Sequence, residues 1–182
     1  MRYAGIIYDD TAAAPGLCLS FYVQGCDIHC PGCHNPCTWD FDGGHEFTAE
    51  TLDHIISGIK KNNILRNFSV LGGEPLARPN LFLTAMVIQE VRNTYPGIKI
   101  WVWTGYDMDE LMIQNSNSHL RLILQNIDAL VTGPFKQELR DITLPYRGSS
   151  NQEVWMLDHE KNIWYNENDG RTYPNVRARE NE

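Results

Sequence analysis

Cys26, Cys30 and Cys33 fall within one short segment, Gly25-Cys26-Asp27-Ile28-His29-Cys30-Pro31-Gly32-Cys33. Thiols at this close spacing are candidate ligands for a metal ion or an iron–sulfur cluster. Their number decides the chemistry. Structural zinc closes with four ligands, and so does an electron-transfer cluster. Three thiolates leave one position open, where a small molecule can bind and be activated. The question the segment poses is whether a fourth ligand exists.

Candidates for a fourth ligand are nearby. Cys37 follows Cys33 closely, and His29 and His34 flank the cysteines. A structural zinc site of four cysteines, or of three cysteines and one histidine, can be assembled from them. A saturated four-cysteine cluster that only carries electrons is a second reading, although ferredoxin-type segments usually space the fourth cysteine differently. An open 4Fe–4S cluster on Cys26, Cys30 and Cys33 is the third. Most of the chain's cysteines lie between Cys26 and Cys37. Such clustering suits metal or redox chemistry better than a disulfide framework spread along a chain. Cys18 stands apart and reads as a small buried residue.

A second segment, Gly72-Gly73-Glu74-Pro75, has the makings of a ligand cradle. Glycine lets the backbone approach a bound molecule closely. A neighbouring carboxylate can accept hydrogen bonds from an ammonium group. The plainer reading is a Gly-Gly turn capped by an acid.

These segments need elements to hold them. Leu17, Leu19, Phe21 and Val23 alternate with Cys18, Ser20, Tyr22 and Gln24, which reads as a strand leading into the cysteine loop. Thr48 caps a helix to about Lys61, with Leu52, Ile55, Ile56 and Ile59 as its apolar stripe. A strand from Asn67 to Leu71 leads into Gly72-Gly73-Glu74. A helix follows Pro79 and stops at Pro96-Gly97. Ile98, Ile100 and Val102 mark a strand ending at Thr104-Gly105-Tyr106. Asp107 with Glu110 caps the next helix, and the polar break at Asn115-Ser116-Asn117-Ser118 leads to another ending near Asn126. Asp128 to Thr132 is a strand before Gly133-Pro134-Phe135. The segment from Lys136 to Gln152 is irregular, and Glu153 to Leu157 is a last strand.

Strands alternating with helices define an α/β fold with a largely parallel sheet. A closed eight-fold barrel usually needs about 250 residues. This chain has 182, and about five or six strands, so an open partial (β/α) barrel is expected. Residues 1–158 form its single domain. Residues 159–182 read as a polar tail, with a hairpin around Asp169-Gly170 and a loose end from Arg177. Each candidate segment follows a strand. In parallel α/β folds those ends share the face that carries the active site.

The net charge of −8 argues against a general nucleic-acid or anionic-membrane binder. The first residues lack the apolar run of a signal peptide, and no stretch is long enough to span a membrane. A cytoplasmic location is expected.

Taken with Gly72-Gly73-Glu74-Pro75, the Cys26-x3-Cys30-x2-Cys33 loop resembles the radical S-adenosylmethionine superfamily. The segments Cys30-Pro31-Gly32-Cys33-His34-Asn35, Thr38-Trp39, Ile100 to Tyr106 and Arg147 to Gln152 narrow the resemblance. They are similar to the activating proteins of anaerobic (class III) ribonucleotide reductase, over about Pro15 to Gln152. The resemblance implies one 4Fe–4S cluster on Cys26, Cys30 and Cys33, with its open iron chelating S-adenosylmethionine. It implies a cofactor pocket formed by Gly32, Cys33, His34, Gly72, Gly73, Glu74, Thr104 and Tyr106. Electron transfer to the sulfonium then gives methionine and a 5′-deoxyadenosyl radical, which takes a hydrogen from a glycine of the reductase's large subunit. No protein side chain is a catalyst in that scheme, and an external donor such as a flavodoxin supplies the electron.

Two positions depart from the family pattern. Cys37 is read as a spectator thiol, and Thr132 replaces an acid often found before the glycine. Trp101 and Trp103 read as packing residues. Arg147 either anchors a carboxylate or braces its loop. Competing functions are an activase of the pyruvate formate-lyase type, a small-molecule radical enzyme such as a deazapurine synthase, and a zinc-bound scaffold.

Overall fold

The computed structural model describes residues 1–114 and 116–175. Nine strands form one mixed sheet, with β1 over Arg2–Asp10, β2 over Cys18–Val23, β3 over His45–Glu46, β4 over Asn67–Gly72 and β5 over Ile100–Trp103. The others are β6 over Ala129–Thr132, β7 over Glu153–Asp158, β8 over Ile163–Asn166 and β9 over Thr172–Pro174. Among the described residues, four α-helices accompany them: α1 over Ala49–Ile59, α2 over Leu81–Thr94, α3 over Met108–Ile113 and α4 over Ser118–Asn126. The expected loose end from Arg177 lies outside the described residues, as does Asn115 of the polar break.

The sheet runs β3-β1-β2-β4-β5-β6-β7-β8-β9 and is not closed. Its centre, β2-β4-β5-β6, is parallel. Every other pairing is antiparallel. The expectation of about five or six largely parallel strands is therefore corrected. The structure is a mixed α/β fold whose open nine-stranded sheet has a parallel core and antiparallel wings. Beyond Asp158, where a polar tail with a hairpin around Asp169-Gly170 was expected, β8 and β9 pair antiparallel across that turn and continue the sheet. Trp164 is fully buried there, and its indole N–H donates to Asn175 Oδ1 at 3.0 Å.

Alternation sets the two faces of the sheet. Leu19, Phe21, Val23, Ile100 and Val102 join the larger core, with Ile55 and Ile59 of α1 and Val87, Ile88 and Val91 of α2. Cys18, Trp101, Ala129 and Val131 face the other way and form a smaller cluster under Trp103 and Tyr146. Thr48 caps α1 by accepting the Thr51 N–H at 3.3 Å, the bond a threonine N-cap supplies. Crossover helices leave the carboxyl ends of the parallel strands side by side. Among the described residues, no helix is long and apolar enough to cross a membrane.

Candidate cluster and cofactor cleft

A cleft of about 500 Å³ opens at those carboxyl ends. Cys26, Cys30, Cys33, His34, Gly72, Gly73, Glu74 and Thr104 all line it. Gly32 and Tyr106 do not appear on its walls. Gly32 (φ +74°) is exposed and turns the loop against Gln137. Tyr106 reaches sideways, and its hydroxyl donates to Asp27 Oδ2 at 2.8 Å.

The cysteine loop is folded back on itself. Gly25 N–H donates to Thr38 O at 2.8 Å, and Cys26 N–H to Trp39 O at 3.0 Å. Cys33 N–H closes a turn on Cys30 O at 3.0 Å. Cys37 is exposed and lies outside the cleft walls, while its carbonyl accepts from Gln24 Nε2 at 3.2 Å.

Burial pushes the Cys26 thiol up, against backbone N–H groups of His29 and Ile28 that favour the thiolate. Burial also pushes Cys30 up, against the backbone N–H of Phe135. Asn35 N–H donates to Cys33 Sγ at 3.4 Å. Each thiol that lines the cleft thus has at least one amide donor directed at its sulfur. Hydrogen bonds to the sulfurs are among the features that tune an iron–sulfur cluster, so this donor set fits one. Among the described residues, no group of three His, Cys, Asp or Glu side chains is gathered to hold a single metal ion. A cubane places each thiolate on a different iron and does not require that convergence.

The glycine turn packs directly on the cysteine loop. Glu74 N–H donates to Gly25 O at 2.8 Å. A Cβ on Gly73 would sit 2.3 Å from that same oxygen. Gly72 (φ +109°) leaves 2.9 Å between such an atom and the Tyr22 backbone. These glycines are required by the approach of two backbone segments, whatever ligand occupies the cleft.

Glu74 is buried, and its carboxylate joins the strand ends. Oε1 accepts from Leu76 N–H at 2.9 Å and from Thr104 Oγ1 at 2.8 Å, and Oε2 accepts from Gly105 N–H at 2.6 Å. Burial pushes its carboxyl up to about 7, with those three donors opposing the shift. An ionised carboxylate offers about four acceptor positions, so most of its capacity is spent within the chain.

Asn80, which the sequence reading passed over, locks this joint. Its Nδ2 donates to Gly25 O at 3.0 Å and to Glu74 O at 2.9 Å. Nothing in its sequence context marks it beyond a place just before α2. Asp27, the partner of Tyr106, was missed for the same reason. A strap from Lys136 to Gln152 closes one wall, with Arg140, Ile142 and Arg147 on the cleft. Tyr146 holds the strap down, its ring 4.9 Å from that of Trp101 and its carbonyl accepting from Trp103 Nε1 at 2.9 Å. Trp101 is buried packing. Arg147 braces the strap through Nη1 to Gln152 O at 3.2 Å.

Residues 12–155 match the family model described as a 4Fe-4S single cluster domain, which defines the class of the cleft. The curated relatives are more specific. Anaerobic ribonucleoside-triphosphate reductase-activating proteins of Escherichia coli K12 and Salmonella typhimurium are 40% and 39% identical over 158 residues, covering 86% of this chain and 99% of theirs. The protein of that name from Enterobacteria phage T4 is 30% identical over 155 residues, covering 85% of this chain and 94% of its own. The chain belongs to the family of anaerobic ribonucleoside-triphosphate reductase-activating proteins.

Proposed function

We propose that this chain installs a glycyl radical on the large subunit of an anaerobic ribonucleotide reductase. Cys26, Cys30 and Cys33 would hold one 4Fe–4S cluster, leaving an iron free for the amino and carboxylate groups of S-adenosylmethionine. When bound there, the cluster and cosubstrate would supply the one-electron reductive chemistry needed to take a hydrogen atom from a glycine of the partner. The observation that carries this reading is the division of the cysteines: three line one cleft, and Cys37 is outside it.

The chain's own residues bind, orient and exclude. The Glu74–Thr104–Gly105 bonds fix the rim of the cleft. The Gly73–Gly25 contact brings the glycine turn against the cysteine loop, so Gly72, Gly73 and Glu74 can form the cosubstrate's cradle with His34. Phe135 and Ile28 give that wall apolar cover, which helps keep water from a radical. The open sheet suits a fold of the radical S-adenosylmethionine type that must admit a polypeptide. An external one-electron donor such as a flavodoxin, and a cytoplasmic location, belong to the same reading.

The test is an anaerobic assay of the purified chain with its cognate reductase, reductant and S-adenosylmethionine. A glycyl-radical signal by electron paramagnetic resonance, absent without this chain, is expected. A fully iron-loaded protein that gives none would overturn the reading.

A further inference from the structure

We infer that the tip of the strap is the docking surface for the reductase segment that carries the reactive glycine. Ile142 and Leu144 take an apolar side chain flanking that glycine, and Arg140 takes main-chain carbonyls of the extended segment. This inference rests on the function proposed above.

The cleft grades from a closed floor to an open mouth. On the floor, Cys26 is 9% exposed and Glu74 2%. Ile142 lines the same cleft and is 78% exposed. Arg140 is exposed on the same wall, and among the described residues it forms no ion pair. The strap also adjoins the cysteine loop. The Phe135 N–H faces the Cys30 thiol, and the Gln137 side chain packs over Gly32. A small molecule on the cluster fills the floor and has no use for a side chain left in solvent at the mouth. A polypeptide brought to the floor passes that side chain.

The tip is held out. The two limbs of the strap pair, with Ser150 N–H donating to Leu139 O at 2.9 Å and Asp141 N–H to Gly148 O at 3.1 Å. Asp141 Oδ1 then accepts from Thr143 N–H at 2.9 Å and Thr143 Oγ1 at 2.7 Å. Such a side-chain turn fixes the backbone around Ile142. The other end is pinned where Tyr146 meets Trp101 and Trp103. A lone exposed apolar residue is ordinary on a surface. Ile142 differs because Leu144 and Phe135 share its cleft wall, and because it is fixed before anything docks, which spares ordering entropy. Covering it removes apolar surface from water. An extended segment brings unpaired backbone carbonyls, and a guanidinium is purely a donor.

The test follows glycyl-radical formation by electron paramagnetic resonance against reductase concentration, using anaerobic, iron-loaded protein. Affinity for S-adenosylmethionine is measured separately by calorimetry. Ile142→Ser should raise the reductase concentration for half-maximal rate by about tenfold or more, the loss of a buried apolar contact, and leave iron content and S-adenosylmethionine affinity unchanged. Ile142→Leu, which keeps the volume, should stay close to wild type. Arg140→Gln should raise the same concentration by a smaller factor. Ile113→Ser, at an equally exposed isoleucine outside the cleft walls, is the control and should change nothing. An unchanged concentration in Ile142→Ser would overturn the inference. So would weakened binding of S-adenosylmethionine, which would assign the strap to the cosubstrate, or an equal shift in Ile113→Ser. If the wild-type protein gives no glycyl radical, the proposed function fails first and takes this inference with it.

Discussion

The hydroxyl of Tyr106 donates to Asp27 Oδ2 at 2.8 Å, so the loop after β5 grips the residue that follows Cys26. Burial and the neighbouring Asp27 hold the phenol well above the usual tyrosine range, so it remains a donor at any working pH. Beside it, a Cβ on Gly105 would lie 3.0 Å from Ile28 Cγ1, a close contact between the same two loops. Tyr106→Phe should preserve the fold, lower stability by about 1 kcal/mol, and speed iron loss. The check is the rate of iron release to a chelator under anaerobic conditions. An unchanged rate would mean that the tether does not hold the loop.

Glu74 gives a pH dependence of definite sign. Its carboxyl is more firmly protonated in the fold, at about 7, than its ordinary value of 4.5. That contribution stabilises the fold below about 4.5 and is lost as pH rises through about 7. The stability of wild type minus that of Glu74→Gln should therefore fall between these limits, by roughly 3 kcal/mol at most. Urea denaturation at a series of pH values reads the difference. A flat difference would show that the carboxylate is already fully compensated by its three donors.

Gly73→Ala should be severe. Its new Cβ would meet the Gly25 carbonyl, a backbone atom that cannot step aside without moving the cysteine loop. A loss of about 1–3 kcal/mol follows from such overpacking, with reduced iron per chain. The denaturation midpoint and iron analysis check both effects.

Cys37→Ala should retain iron and sulfide after anaerobic purification, because Cys37 lies outside the cleft. Cys30→Ala should lose them. Equal loss in the two variants would establish four ligands and a closed site.

Trp164→Ala should cost about 3–5 kcal/mol, the range for emptying a large buried aromatic site. Thermal unfolding measures it. A change near zero would mean that β8 and β9 add nothing to the core.

The pattern of what was legible has physical causes. Cys18–Val23 and Ile100–Trp103 are covered on both faces and nearly every residue is buried, yet the period of two in the sequence still sorts their side chains between the two clusters. The stripe of α1 was equally plain, because Ile55 and Ile59 recur at helical spacing and both are fully buried. β1 was missed because Tyr3-Ala4-Gly5-Ile6-Ile7-Tyr8 has no clean alternation, and none of these residues is fully buried. β8 and β9 were legible only as a hairpin around Asp169-Gly170 and not as part of the sheet, because Trp164 is their one fully buried apolar side chain among polar neighbours. In the site, cysteine and glycine spacing revealed the residues that the chain presents locally. Asn80, Asp27 and the strap act through contacts across 55, 79 or 43 residues of chain, and no local pattern records such a contact.

The Gly25–Gly73 contact puts two independent steric constraints on one joint. A side chain at 73 strikes the Gly25 carbonyl, and a side chain at 25 strikes the ring of Phe41 while asking the backbone to hold φ +96°. Neither change relieves the other, so no pair of single steps leads through an alanine at both places to a working loop. Each of the two positions must therefore stay without a side chain for its own reason, for the loop and the turn to keep this approach.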